Sequence, residues 1–180
     1  MIAEGFSANG TATAMTQRLN AATLLDRALI MMERHRRIPA IWAALTDGSI
    51  TADEAAKLIG EWWSDSESPT SNLGRNGIRL VLVLFRRLQA LEPPQRLPDV
   101  VTVYRGCSPR ERKRPQGISW TLSRDKAEWF ARRYAFGKPM IVLQATNPRG
   151  SVLCFIGDRA EREVIVDPKE ITEFAIRDIT

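Results

Sequence analysis

Val100-Val101-Thr102-Val103-Tyr104 is the stretch on which the reading of the fold turns. All five residues are β-branched or aromatic, types that suit a pleated, half-buried surface. Upstream lie Pro93, Pro94 and Pro98, which neither a helix interior nor a central strand tolerates. The chain therefore changes character at residues 92–98, and its two sides are best read separately.

Downstream, β-type runs recur. Gly117–Thr121 is a second strand, and Ser123 caps a helix from Arg124 to about Tyr134 with Asp125 in its favourable first turn. Ala127, Phe130, Ala131 and Tyr134 share the apolar face of that helix, which Gly137-Lys138-Pro139 ends. Four further strands are expected at Met140–Thr146, Ser151–Ile156, Glu163–Val166 and Ile171–Asp178, with a turn at Asn147-Pro148-Arg149-Gly150 between the first two.

Upstream, the period is helical. Leu19, Ala22, Leu25, Ala28, Leu29 and Met32 form one stripe of a helix over Thr16–Arg37, which Pro39 is expected to end before a short helix through Ala44. Asp47-Gly48 is a turn, and Thr51 with Glu54 makes a capping box for a helix running to Trp62 and Trp63. These tryptophans are adjacent, so only one can point fully inward. The polar break Ser64–Pro69 precedes a last apolar helix over Arg75–Leu91. Helices followed by strands make an α+β chain, with a helical region at 1–95 and a β-rich domain at 99–180 on which the helices pack.

The 180 residues are 44% hydrophobic and 26% charged, which excludes a disordered chain. The longest apolar run, Ile78–Phe85, is interrupted by Arg79 and is too short to span a membrane. The first residues have neither the basic start nor the apolar block of a secretory signal and read as a disordered lead-in. Two cysteines form no metal or disulfide framework, so a cytoplasmic setting is expected. The net charge of +5 favours anionic ligands. Its densest run, Arg110-Glu111-Arg112-Lys113-Arg114, is broken by one acid and reads first as a solvated loop. His35, among Arg34, Arg36 and Arg37, reads as a helix-surface residue.

Three short segments of the β-rich half stand out: Tyr104-Arg105-Gly106, Ser119-Trp120-Thr121 and Glu161-Arg162-Glu163. Alone, each has an ordinary explanation as strand-end, turn or sheet-surface chemistry. In this order, with a helix behind the second, they resemble the arginine–serine–glutamate class of mono-ADP-ribosyltransferases, and in particular phage- and prophage-type proteins of that class. The flanking stretches Gly117-Ile118-Ser119-Trp120-Thr121-Leu122 and Ala127-Glu128-Trp129-Phe130-Ala131 add to the likeness. The resemblance covers the last 80 or so residues well and the helical front loosely. Trp120 stands where the class has a threonine.

The resemblance implies a split β-sheet core, NAD⁺ as co-substrate, no metal, and transfer of ADP-ribose to a macromolecule with release of nicotinamide. Arg105 would fork onto the pyrophosphate, a geometry that lysine lacks, and Gly106 would let the backbone approach the ligand. Ser119 and Thr121 would hold ribose or orient the glutamate, and Trp120 would stack on nicotinamide if it faces the cleft. Glu163, the catalytic glutamate of the match, would hold the ribose 2′-hydroxyl and stabilise the oxocarbenium-like transition state from a wet cleft. Glu161, two residues earlier on the same strand face, would take the proton of the nucleophile. In the loop before the two glutamates, Phe155 and Arg159 would contact the acceptor, with Phe155 equally well explained as a core aromatic.

The acceptor stays open at this level. Glu-x-Glu favours a protein arginine, and the basic charge keeps an RNA or DNA base in play. An antitoxin or a host target protein is a conceivable partner in phage–bacterium conflict, whereas a membrane is not expected to be one. Two other classes compete: an NAD⁺ glycohydrolase, and a non-catalytic partner-binding protein with a relic transferase fold. All of this requires Arg105, Ser119 and Glu163 to converge on one cleft.

Overall fold

A computed structural model describes residues 21–66, 69–133, 135, 137–157 and 162–179. The chain divides into two compact units, Met1–Leu84 and Phe85–Thr180. Among the described residues it is α+β, with five α-helices and six strands. No helix among them is long and apolar enough to cross a membrane.

The first unit is helical. α1 covers residues 21–31, α2 Arg37–Thr46 and α3 Ala52–Trp62, and α4 begins at Gly77. Pro39 does not end a helix, contrary to expectation. The break comes earlier, at residues 32–33, and Pro39 sits in the first turn of α2, where an N–H would have no helical partner anyway. The capping box of α3 forms as expected: the Thr51 hydroxyl accepts from Glu54 N, and the Glu54 carboxylate accepts from Thr51 N at 2.7 Å. Trp63 is buried. Trp62 lies nearer the surface, donates to Asp26 Oδ1 at 2.7 Å, and carries the Arg37 guanidinium 4.8 Å above its ring. Buried Arg37 donates to the carbonyls of Met32, Asp65 and Ile30, so its charge is spread over three backbone acceptors.

The boundary between the units falls inside α4 (Gly77–Leu91). Arg86 pairs with the buried carboxylate of Asp167, and Gln89 donates to the carbonyls of Gly150 and Val152. The last turns of α4 thus belong to the second unit.

That unit is built on one antiparallel sheet of β1 (Val100–Cys107), β2 (Ser119–Thr121), β3 (Met140–Pro148), β4 (Val152–Ile156), β5 (Glu163–Val166) and β6 (Phe174–Ile179), in the order β4-β5-β2-β1-β3-β6. The six expected strands are all present, with ends moved by a few residues. β1 pairs with β3 along its whole length but meets β2 at one register position, Tyr104↔Thr121. The sheet is therefore two three-stranded halves hinged at a narrow joint.

One face carries the main core, including Val101, Val103, Trp120, Leu143, Val164 and Val166. On the other face, Ala127 and Ala131 of α5 (Arg124–Arg133) pack with Val142, Tyr104 and Met140. Phe130 is only half-buried and meets Trp129 edge-on at 4.9 Å. Tyr134, placed with them by periodicity, lies outside the described residues. The N-cap is Ser123, whose Oγ accepts from Lys126 N at 3.3 Å.

Candidate functional site

Ser119, Glu163 and Arg105 lie on three different strands and are joined by hydrogen bonds. β2 and β5 place Ser119 opposite Ile165 and Thr121 opposite Glu163. Because side chains alternate along a strand, Ser119, Thr121 and Glu163 share one face. The Ser119 hydroxyl donates to Glu163 Oε1 at 2.5 Å. Such a short bond to a carboxylate fixes the rotamer of both side chains.

Arg105 reaches this pair by another route. Its register partner on β3 is Leu143, a core residue, whereas Glu163 is in register with Thr121 and hence with Tyr104, on the α5 face. By pleat alone, Arg105 and Glu163 start from opposite faces, and a shared cleft lined from one face is not what forms. The narrow joint between β1 and β2 brings them together instead. Arg105 Nη1 donates to the Ser119 carbonyl at 2.7 Å, so the guanidinium holds the backbone of the residue whose hydroxyl holds Glu163.

Two features that the sequence reading missed make this possible. A β-carbon on Gly117 would fall 1.9 Å from Arg105 Cζ, so only glycine leaves room for the guanidinium. Glu111 supplies a counter-charge: its Oε2 lies 3.5 Å from Arg105 Nε and accepts from the backbone N–H of Gln116 and Gly117 at 2.8 and 3.2 Å. The signal for Glu111 was a single acid inside a basic run. Arg105 Nε itself is buried without a hydrogen-bond partner, and the side chain as a whole keeps 23% of its exposure.

Several expected roles change. Trp120 is 2% exposed, sits in the main core and donates from Nε1 to the Gly117 carbonyl at 3.1 Å. Alternation turns it away from Ser119, so it cannot stack on a ligand held there. Gly106 lacks a side chain because α5 lies on it: a β-carbon would meet Ala127 O at 2.2 Å and Ala131 N at 2.7 Å. The close approach is to a helix, not to a ligand. Phe155 is partly buried and packs against the main core, in keeping with the core alternative read for it in the sequence. Thr121 is buried, and its hydroxyl accepts from Ser123 N at 3.0 Å at the start of α5. Glu163 is 9% exposed, nearly buried rather than facing a wet cleft.

Between the two acids, Arg162 has φ 47°, in the left-handed region, so period-two alternation does not run through the residue just before Glu163. Glu161 and Arg159 themselves lie outside the described residues. Left-handed backbone at a non-glycine costs energy and gathers at working sites. Here it turns the Arg162 carbonyl to accept from Leu122 N at 3.1 Å, tying the start of β5 to the end of β2.

The surroundings of Glu163 are short of water. Burial first, then the Glu163 carboxylate and Glu92, push the Cys154 thiol up to about 12, which keeps it protonated and unreactive. Among the described residues, no group of three His, Cys, Asp or Glu side chains is gathered as a metal centre requires. What remains is a nearly dry carboxylate oriented by a hydroxyl, with a guanidinium clamped one residue away. This arrangement suits stabilisation of a developing cation beside an anionic group. No family model, curated protein or solved structure matches the chain.

Proposed function

We propose that this chain cleaves the nicotinamide–ribose bond of NAD⁺ and transfers ADP-ribose to a macromolecular acceptor. The observation that carries the reading is the 2.5 Å bond from Ser119 Oγ to Glu163 Oε1, with Arg105 held on the carbonyl of the same serine. The motif order Arg105, Ser119, Glu163 is that of the resembled class, and hydrogen bonds link the three residues across strands distant in sequence.

The residues fit NAD⁺ in part. Glu163 offers the 2′-hydroxyl of the ribose an acceptor and offers the oxocarbenium-like transition state a negative charge, strengthened by the low-dielectric surroundings. Ser119 keeps that charge aimed. Arg105 spends one donor on Ser119 and is half-neutralised by Glu111, so it is first a positioning residue for β2. Only its exposed part is left for a phosphate. Trp120 contributes nothing to nicotinamide.

The test uses the full chain with NAD⁺ labelled on its adenylate, in a cell lysate. Nicotinamide release together with label on macromolecules is expected, and both are lost in Glu163→Gln. Release without label makes the protein a glycohydrolase. A chain that neither binds nor consumes NAD⁺ is a partner-binding protein, and the proposal fails.

A further inference from the structure

The loop joining β1 to β2, residues 108–118, is fastened by one acid, Glu111. A short helical turn at Pro109–Arg112 sets its backbone: Glu111 N donates to the Ser108 carbonyl, and the Glu111 carbonyl accepts from Arg114 N, both at 3.1 Å. Arg110, Arg112, Lys113 and Arg114 around it are exposed, whereas the Glu111 side chain turns inward and keeps 13% of its exposure. Its Oε2 accepts from Gln116 N at 2.8 Å and from Gly117 N at 3.2 Å, and lies 3.5 Å from Arg105 Nε. One oxygen therefore serves two backbone donors and also faces a guanidinium.

These contacts meet at Gly117. Glu111 holds its N–H, its carbonyl accepts from Trp120 Nε1 at 3.1 Å, and the Arg105 guanidinium fills the space that a β-carbon would take. One residue on, the Ile118 carbonyl accepts from Val166 N at 2.9 Å, and after it the Ser119 carbonyl accepts from Arg105 Nη1 at 2.7 Å. Glu111 thus faces the guanidinium directly and, through Gly117, fixes the strand that the guanidinium grips. Ser119 passes this order to Glu163 through its hydroxyl.

Arg105 needs such a partner. Its Nε is buried and makes no hydrogen bond, and an opposite charge close by offsets the cost of a desolvated cation. The same charge has a second effect, because it weakens the pull of the guanidinium on a phosphate. We infer that Glu111 is a positioning residue for the Arg105–Ser119–Glu163 set: its charge holds the guanidinium on the Ser119 carbonyl and lowers the attraction of Arg105 for an anionic ligand. A mere loop tie would be made equally well by the neutral amide of a glutamine, so Glu111→Gln separates the two roles. That the positioning serves turnover of NAD⁺ rests on the transferase reading above; the hold on Arg105 does not.

The experiment compares the full chain with Glu111→Gln, which keeps an oxygen for the two N–H groups and removes the charge. Without NAD⁺, exchange of the Arg105 Nε–H with solvent is followed by NMR, the signal being assigned by its loss in Arg105→Gln. Exchange is expected to be slow in the parent and faster in Glu111→Gln, and equal rates overturn the inference. With NAD⁺, kcat for nicotinamide release is expected to fall about tenfold. KM is expected to fall with it, because the guanidinium keeps more of its charge for a phosphate; a KM that does not fall overturns the inference. In an Arg105→Gln background the same substitution should change kcat by less than about twofold, since Glu111 then has no cation to hold. An equal loss there means that Glu111 does not act through Arg105, and the inference fails. Should Glu111→Gln melt lower because it strands a buried cation, the double variant, which strands none, is expected to regain the stability and still reads the coupling. Faster exchange in a chain that ignores NAD⁺ refutes the transferase reading and leaves the role of Glu111 standing; normal turnover of NAD⁺ by Glu111→Gln does the reverse.

Discussion

The two halves of the sheet solve opposite problems. β1 and β3 pair over all of Val100–Cys107, with apolar partners on both faces, and form a scaffold. β2 is three residues long and meets β1 at a single position, yet it carries Ser119 and lies against Glu163. A long ladder holds its strands in one continuous register. A short strand at a narrow joint leaves a gap that a guanidinium can fill. On the proposed reading the site sits where the sheet is least continuous, and substitutions in the two halves should have separable effects.

The sharpest break is expected at the short strand. Glu163→Gln keeps an acceptor for the Ser119 hydroxyl but removes the charge. Turnover of NAD⁺, followed by nicotinamide release, should fall roughly 10²–10³-fold with little change in melting temperature. Ser119→Ala loses a hydrogen bond to a charged group, about 1.5–3 kcal/mol, so turnover should fall about tenfold to a hundredfold while NAD⁺ still binds.

Two glycines then set the halves against each other. Gly106→Ala drives a β-carbon into the backbone of α5 and should cost about 1–3 kcal/mol of stability, read from urea denaturation. Gly117→Ala meets only the far end of Arg105, which can move. It should cost less than about 1 kcal/mol of stability and yet reduce turnover about tenfold, because Arg105 leaves Ser119. If both variants lose stability alike, the distinction between scaffold and site is wrong.

Smaller effects sharpen the picture. Arg162→Gly relieves a left-handed backbone and should stabilise the chain by about 1 kcal/mol in the same denaturation assay. The cysteines give a pH signature. Burial is the main reason that both Cys107 and Cys154 are raised from 9.0 to about 12. Between those values the unfolded chain releases thiol protons that the folded chain keeps. The cysteine contribution to stability is thus complete below pH 9.0 and lost as pH rises towards 12. Thermal melts should show this alkaline decline, and Cys154→Ala should make it shallower.

Much of this was legible along the chain. Six strands and the capped helix at Ser123 follow from alternation, β-branched composition and cap chemistry, which are local. The trio Arg105, Ser119 and Glu163 was legible as a motif order, and the hydroxyl–carboxylate contact fits it. The misreadings share one cause. Pro39, Gly106 and Trp120 each have two local interpretations, and the choice depends on what lies across from them. A glycine beside a candidate arginine looks like room for a ligand until a helix is seen on top of it.

By itself, the sequence determined the order of the elements and the change of character at the prolines, and it picked out the candidate groups, since these depend on neighbours a few residues away. Only the tertiary structure decided which way those groups face. It turned Glu111 inward to clamp Arg105 and buried Trp120. The physical reason is that a charge or an aromatic ring acquires its role from the atoms opposite it, and these come from strands and helices distant in sequence.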